Sequence, residues 1–240
     1  MIGAFLNALG ILLGALYGFI SRGPVSAASQ SFFKAGLGVF TVFAGLRLIF
    51  VSVPPQFGPA VKVLLIAAGA TVLGSWVGRL LHLQALSNKL GRYAGDVINE
   101  AQKNPPGNGA DGWASATVLF SAAPLGFLGV VTDGTIDFFY ILALKALMDG
   151  LAMVSFVKIF RWPVALSAVP VYFFLYGLTM AIHVWALPKL EAHHLTASLN
   201  VTAGFLACIV TVVIFGVRKV ELANYLPALL VAPVLAWWLA

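Results

Sequence analysis

The chain has 240 residues, 61% of them hydrophobic and only 9% charged, with a net charge of +6 and a mean hydropathy of +0.98. A soluble fold of this size would leave too much apolar surface in water, so the composition implies an all-α, polytopic membrane protein whose first partner is the lipid bilayer. The basic excess is scattered between apolar runs without interleaved aromatics, which argues against nucleic acid, and the single cysteine, Cys208, excludes an intramolecular disulfide framework.

Taken in order, the sequence predicts eight spans in one membrane domain over 1–240: 2–21, 33–52, 59–80, 113–131, 136–157, 163–187, 197–217 and 222–239, with a cytoplasmic helix and linker over 82–112. Met1 leads directly into apolar sequence with no basic leader, so 2–21 is expected to be a retained span. It carries Gly10, Gly14 and Gly18 at steps of four, and the third span carries Gly74 and Gly78. This small-residue pattern lets helix backbones approach closely in lipid. The phrases L-G-I-L-L-G-A-L-Y-G and A-T-V-L-G-S-W-V-G suggest an internal repeat, with both copies running the same way. Lys34 and Arg47 lie near opposite ends of the second span, where long stems can snorkel.

Between the third and fourth spans, Leu83, Leu86, Leu90, Tyr93 and Val97 recur at helical steps among Lys89, Arg92, Asp96 and Glu100, which predicts an amphipathic surface helix. The following K-N-P-P-G-N-G-A-D-G reads as a linker. The odd loops and adjoining span ends hold Arg22, Lys34, Arg79, Lys89, Arg92, Lys103, Lys158, Arg161, Arg218 and Lys219, against Arg47, Lys62 and Lys189 at the other side. By the positive-inside rule the odd loops are cytoplasmic and both termini lie outside.

The fourth span has Ser121, Pro124 and Gly126 along it, and proline there frees backbone groups that can line a polar site or simply bend the helix. Asp133 and Asp137 flank a T-D-G-T-I-D turn expected on the outer face, where they can gather cations or merely form the turn. In the fifth span Lys145 and Asp149 stand one helical turn apart in a run otherwise apolar, a costly placement at bilayer depth. The pair can mark a solute pathway or act as a packing staple, and both readings stand at this point. Asn7 and Asn200 are amides inside apolar helices, able to bond across helices or to contact a solute. His183 and Trp185 suit the membrane interface.

The sequence contains no H-E-x-x-H, G-x-S-x-G or P-loop, and Glu100, Glu191 and Glu221 all lie outside the spans, so no enzyme, cofactor or metal centre is expected. His193-His194 beside Glu191 is a nonspecific metal signal.

The opening I-G-A-F-L-N-A-L-G-I-L-L-G-A-L-Y-G, then K-A-G-L-G-V-F, L-G-S-W-V-G-R-L-L, A-T-V-L-F-S-A-A-P-L-G-F-L-G-V-V-T-D-G, L-A-L-K-A-L-M-D-G and N-Y-L-P-A-L-L together resemble the YdfK/YqgA-type bacterial inner-membrane family, a domain of unknown function. The resemblance covers essentially the whole chain. It falls on Asn7, Pro124, Gly126, Asp133, Gly134, Lys145, Asp149 and Gly150. Two departures are Thr135-Ile136-Asp137, where the family has a second acidic turn, and a longer, Pro/Gly-rich linker. The resemblance implies a bacterial plasma-membrane protein, often described as a transport protein, without implying a solute.

The expected function is therefore transport of a small solute or ion, with a pathway formed by Lys145, Asp149, Asn7, Ser121, Pro124, Gly126 and Asp133. The alternative is a noncatalytic membrane scaffold or regulatory subunit acting through its glycine faces, with a second copy of the chain among its candidate partners.

Overall fold

The computed structural model describes residues 1–21, 26–103 and 107–239, with Ala27 described by its backbone alone. Arg22 and the N-P-P part of the expected linker lie outside the described residues. Among the described residues the secondary structure is helical throughout. In order the helices are α1 (Ile2–Ile20), α2 (Ala27–Ser52), α3 (Phe57–Leu80), α4 (Leu83–Lys103), α5 (Gly109–Ser121), α6 (Pro124–Ile136) and α7 (Tyr140–Phe160). A 3-10 turn (Trp162–Ser167) leads into α8 (Ala168–Ala181), a π-turn (Ile182–Ala186) and α9 (Leu187–Ala192), followed by α10 (Thr196–Phe215), a 3-10 turn (Leu222–Tyr225) and α11 (Ala228–Trp238).

Among the described residues six segments are long and apolar enough to cross a membrane, with the 3-10 turn at Trp162–Ser167, α8, the π-turn and α9 counting as one, and α5 with α6 makes a seventh if the bent pair is a single span. The last stretch, Leu222–Trp238, is apolar but shorter.

Local sequence explains the interruptions. Pro124 opens α6 at a first-turn position where a missing N–H costs nothing, while α5 ends at Ser121, and the two halves bend by 54°. Pro188 cannot donate to the carbonyl one turn earlier, and the helix widens into its π-turn directly before it. The helix then continues to Ala192, through residues whose Pro-Lys composition suggested a loop; the turn comes at His193 and His194, the latter with φ 55°.

Contact order along the helices fixes their directions. Gly10 faces Ala146, Gly14 faces Gly150 and Gly18 faces Val154, so α1 and α7 run parallel. Gly38 meets Phe215 while Gly45 meets Cys208, so α2 and α10 are antiparallel; Gly74 against Ala228 and Gly78 against Asn224 make α3 and α11 antiparallel as well. α1, α2 and α3 thus have their most extensive packing with α7, α10 and α11 respectively.

The approaches are close because these positions lack side chains: a Cβ on Gly18 would fall 2.8 Å from the Val154 carbonyl oxygen, and one on Gly14 would run into the Gly150 carbonyl. α1 and α3 run in the same direction.

Met1 and Leu239 lie at one end of the bundle. The Met1 α-ammonium group bonds Asp133 and Asp137, and Lys62 Nζ donates to the Leu239 carbonyl at 2.6 Å. Arg47 is stacked over Tyr140 at 5.4 Å near this same end.

The opposite end carries α4, the C-terminal ends of α3, α7 and α10, and with them Arg79, Lys89, Arg92, Lys103, Lys158 and Arg161. There α4 is held by a two-way clasp, in which Asn224 Oδ1 accepts the Gln84 N–H at 3.0 Å and Gln84 Oε1 accepts the Ala223 N–H at 3.1 Å.

Candidate functional site

α7 and α10 are the most enclosed spans, and midway along α7 sit the two charges. Lys145 is 1% exposed and Asp149 7%; the Lys145 ammonium and the Asp149 carboxylate form an ion pair through Oδ2. The helix dictates this meeting, since residues four apart lie one above the other.

From α1, the fully buried Asn7 Nδ2 donates to the same Asp149 oxygen at 2.9 Å. The parallel packing of α1 on α7 positions that amide, and the glycines allow the packing. Among the described residues the Asn7 carbonyl oxygen has no hydrogen-bond partner, so the cluster holds one unused acceptor beside a charged pair.

The interrupted helix completes the surroundings. A Cβ on Gly126, in the first turn of α6, would lie 3.0 Å from Lys145 Cε, so the lysine stem passes directly along the helix break. α5 ends at Ser121 and α6 begins at Pro124, so the last carbonyls of one helix and the first N–H groups of the next have no partner within their own helices, which places backbone polarity at the break. Ser121 closes α5, half-buried, on the other side of the break. Lys145, Asp149, Asn7 and Gly126 therefore come together, with Pro124 and Ser121 forming the break itself.

Asp133 does not join them, and its place differs from the expected one. It lies inside α6, fully buried, because the helix runs through T-D-G-T-I and turns only at Asp137, which takes the left-handed conformation at φ 54°. Its carboxylate accepts from the Met1 α-ammonium group at 3.0 Å and from the Gly3 N–H at 3.3 Å, stitching the start of α1 to α6. Asp137 remains exposed and lies 3.3 Å from the same amine. Burial opposes charge on that amine, but hydrogen bonding to Asp133 and its charge, with Asp137 adding to both, more than offset it and hold the amine above its usual range. Met1, Asp133, Asp137 and His183 line a cavity of about 580 Å³ at this end.

His183, read as an interface residue, sits in the π-turn with Nδ1 3.2 Å from the Gly134 carbonyl. Thr135 was not singled out from sequence, yet its hydroxyl donates to Asn200 Oδ1 at 2.9 Å and ties α6 to α10. The amide at Asn200 was the available signal, but its partner 65 residues away has no local signature.

Two clefts flank α2. One of about 800 Å³ is walled by Gly10 and Gly14 of α1 and by Ala146 and Gly150, which directly follow Lys145 and Asp149 in sequence; the other, of about 660 Å³, opens toward the basic end. Among the described residues no group of three or more His, Cys, Asp or Glu is arranged to hold a metal ion.

Comparison with known proteins agrees with a membrane assignment. The chain is similar to the uncharacterized membrane protein YdfK of Bacillus subtilis (strain 168), 24% identical over 236 residues that cover 98% of this chain and 95% of that protein. It is similarly 24% identical to the uncharacterized protein YqgA of Escherichia coli (strain K12) over 242 residues, covering 100% of this chain and 98% of that one. No solved structure matches the chain. Residues 2–237 match the family described as Protein of unknown function (DUF554), and the chain, a multi-pass all-α membrane protein, belongs to that family.

Proposed function

We propose that this protein carries a small solute or ion across the bacterial plasma membrane, through a polar site between the α5–α6 break and the middle of α7. The observation that carries the reading is that an acid, a base and an amide from two helices converge at bilayer depth against an interrupted span. Charged groups at that depth are costly, and broken helices put backbone polarity where a transported species needs it. In this reading Lys145 attracts an anionic group, and Asp149 balances that charge or takes up a coupling proton. The enclosure of both side chains then corresponds to a closed conformation, and opening requires the two halves about the break to move relative to α7. The gathering of Lys and Arg at the end away from the termini supports a cytoplasmic placement for that end, with both termini outside.

The test is flux in proteoliposomes loaded with pH- and potential-sensitive dyes and challenged with sodium, potassium, chloride, acetate and phosphate gradients. The double variant K145M/D149N removes both charges without leaving either one alone. It should fold and lose the flux the wild type shows, whereas equal flux from both proteins would remove this mechanism.

A second reading has its own support. Because Asp149 is bonded both to Lys145 and to Asn7 inside closely packed helices, the cluster also suits a noncatalytic scaffold or regulatory subunit, with a second copy or another membrane protein on its outer helix faces. Absence of flux with any gradient, together with co-purification of one membrane partner, would favour it.

A further inference from the structure

The N-terminal half of α2 stands away from α7, and the cleft of about 660 Å³ between them has a graded lining. Toward the basic end it presents Gln30, Lys34, Ser155 and Lys158, all exposed; toward mid-membrane it becomes apolar at Leu151 and Met148. From Lys158 to Met148 the wall runs ten residues along α7, roughly 15 Å at the helical rise per residue. That is about half of a hydrocarbon core roughly 30 Å thick, the depth of one leaflet.

Among the described residues that line the cleft none is acidic. Lys158 Nζ lies 3.5 Å from the Ser21 hydroxyl, and the Lys34 ammonium reaches over Gly216, where α10 ends. Two cations on facing helices therefore sit at the mouth of a slot whose floor has only apolar side chains. A soluble anion would use the mouth and leave the slot unfilled, and a zwitterionic lipid would fill the slot while its own cation met the lysines.

We propose that this cleft is a binding site for one anionic phospholipid of the leaflet at the basic end, its phosphate between Lys34 and Lys158 and an acyl chain along Leu151 and Met148. The assignment is independent of the charged cluster on α7 and of any transport activity.

The full-length protein, delipidated in detergent, is titrated with phosphatidylglycerol, with phosphatidylcholine of the same acyl chains, and with soluble glycerol phosphate, and bound lipid is counted by native mass spectrometry. Phosphatidylglycerol should occupy one high-affinity site that phosphatidylcholine fills far more weakly and glycerol phosphate does not empty. The K34Q/K158Q variant should bind it about thirtyfold more weakly, from roughly 1 kcal/mol per basic group. Equal binding of the two lipids, displacement by glycerol phosphate at lipid-like concentrations, or unchanged affinity in a folded K34Q/K158Q protein would each overturn the assignment. The comparison of lipids on the wild type decides the matter even where the variant fails to fold.

Discussion

Asn7 and Lys145 bond the same oxygen of Asp149, one from α1 at 2.9 Å and the other from a turn earlier on α7. The carboxylate is thus the centre of the cluster, and the lysine and the amide are its two supports. Their energetic weights differ, because one carries charge and the other does not.

Removing one member of the ion pair leaves a buried charge without its counter-ion, which typically costs about 3–5 kcal/mol. Lys145→Met should therefore lower the melting temperature in detergent far more than K145M/D149N does. Equal destabilisation by the single and double variants would show that the charges are not coupled.

Asn7→Ala loses a hydrogen bond to a charged group but also removes an unpartnered buried carbonyl, so the two effects partly cancel. The expected loss is about 1 kcal/mol, within the range of interhelical hydrogen bonds in membranes. Thermal unfolding followed by tryptophan fluorescence measures it; a loss as large as that of Lys145→Met would contradict the ranking.

The glycine seams should be intolerant where backbones touch and tolerant elsewhere on the same helices. Gly78→Ala drives a methyl into the Asn224 carbonyl, whereas Gly69→Ala, also on α3, meets nothing within 4 Å. Overpacking costs about 1–3 kcal/mol, so Gly78→Ala should reduce the monodisperse fraction on size-exclusion chromatography while Gly69→Ala leaves it unchanged.

Stability should fall as pH rises above the usual range of an α-amine. The Met1 amine is raised from 8.0 in the folded protein, so its contribution is complete below pH 8 and is lost as pH climbs through the raised folded value. In Asp133→Asn this alkaline decline should flatten, as read from melting temperatures across a pH series on protein beginning at Met1. An unchanged slope would mean that the amine–carboxylate pair contributes nothing.

Asn224 acts as a cap supplied from elsewhere in the chain, its side-chain oxygen taking an N–H in the first turn of α4. Asn224→Ala should cost about 1 kcal/mol, as other lost helix caps do, and speed amide exchange at the start of α4 without affecting α7. Hydrogen exchange by mass spectrometry distinguishes the two regions.

Much of this was legible in the sequence because it depends on local periodicity. Apolar length marks six long segments among the described residues, or seven with the bent pair taken as one span; a four-residue step places Lys145 over Asp149, and Pro124 signals an interruption. T-D-G-T carries turn chemistry and so points Asp133 to a loop, yet its carboxylate is satisfied by groups 130 and 132 positions away, which lets the helix continue to Ile136. The partnership of Asn7 with Asp149 was likewise invisible, since each amide in an apolar helix has many prospective partners until the packing is known. The π-turn escaped notice because Pro188 signals a break but does not reveal that the helix resumes beyond it.

The parallel packing of α1 on α7 has a consequence for biogenesis. At about 5–20 residues per second, the ribosome delivers α7 on the order of ten seconds after α1. During that interval the first segment is already made while the face that α7 will cover still meets acyl chains or an insertase. A factor that shelters nascent helices would act in this window, before the second half of the polypeptide arrives to finish what the first half began.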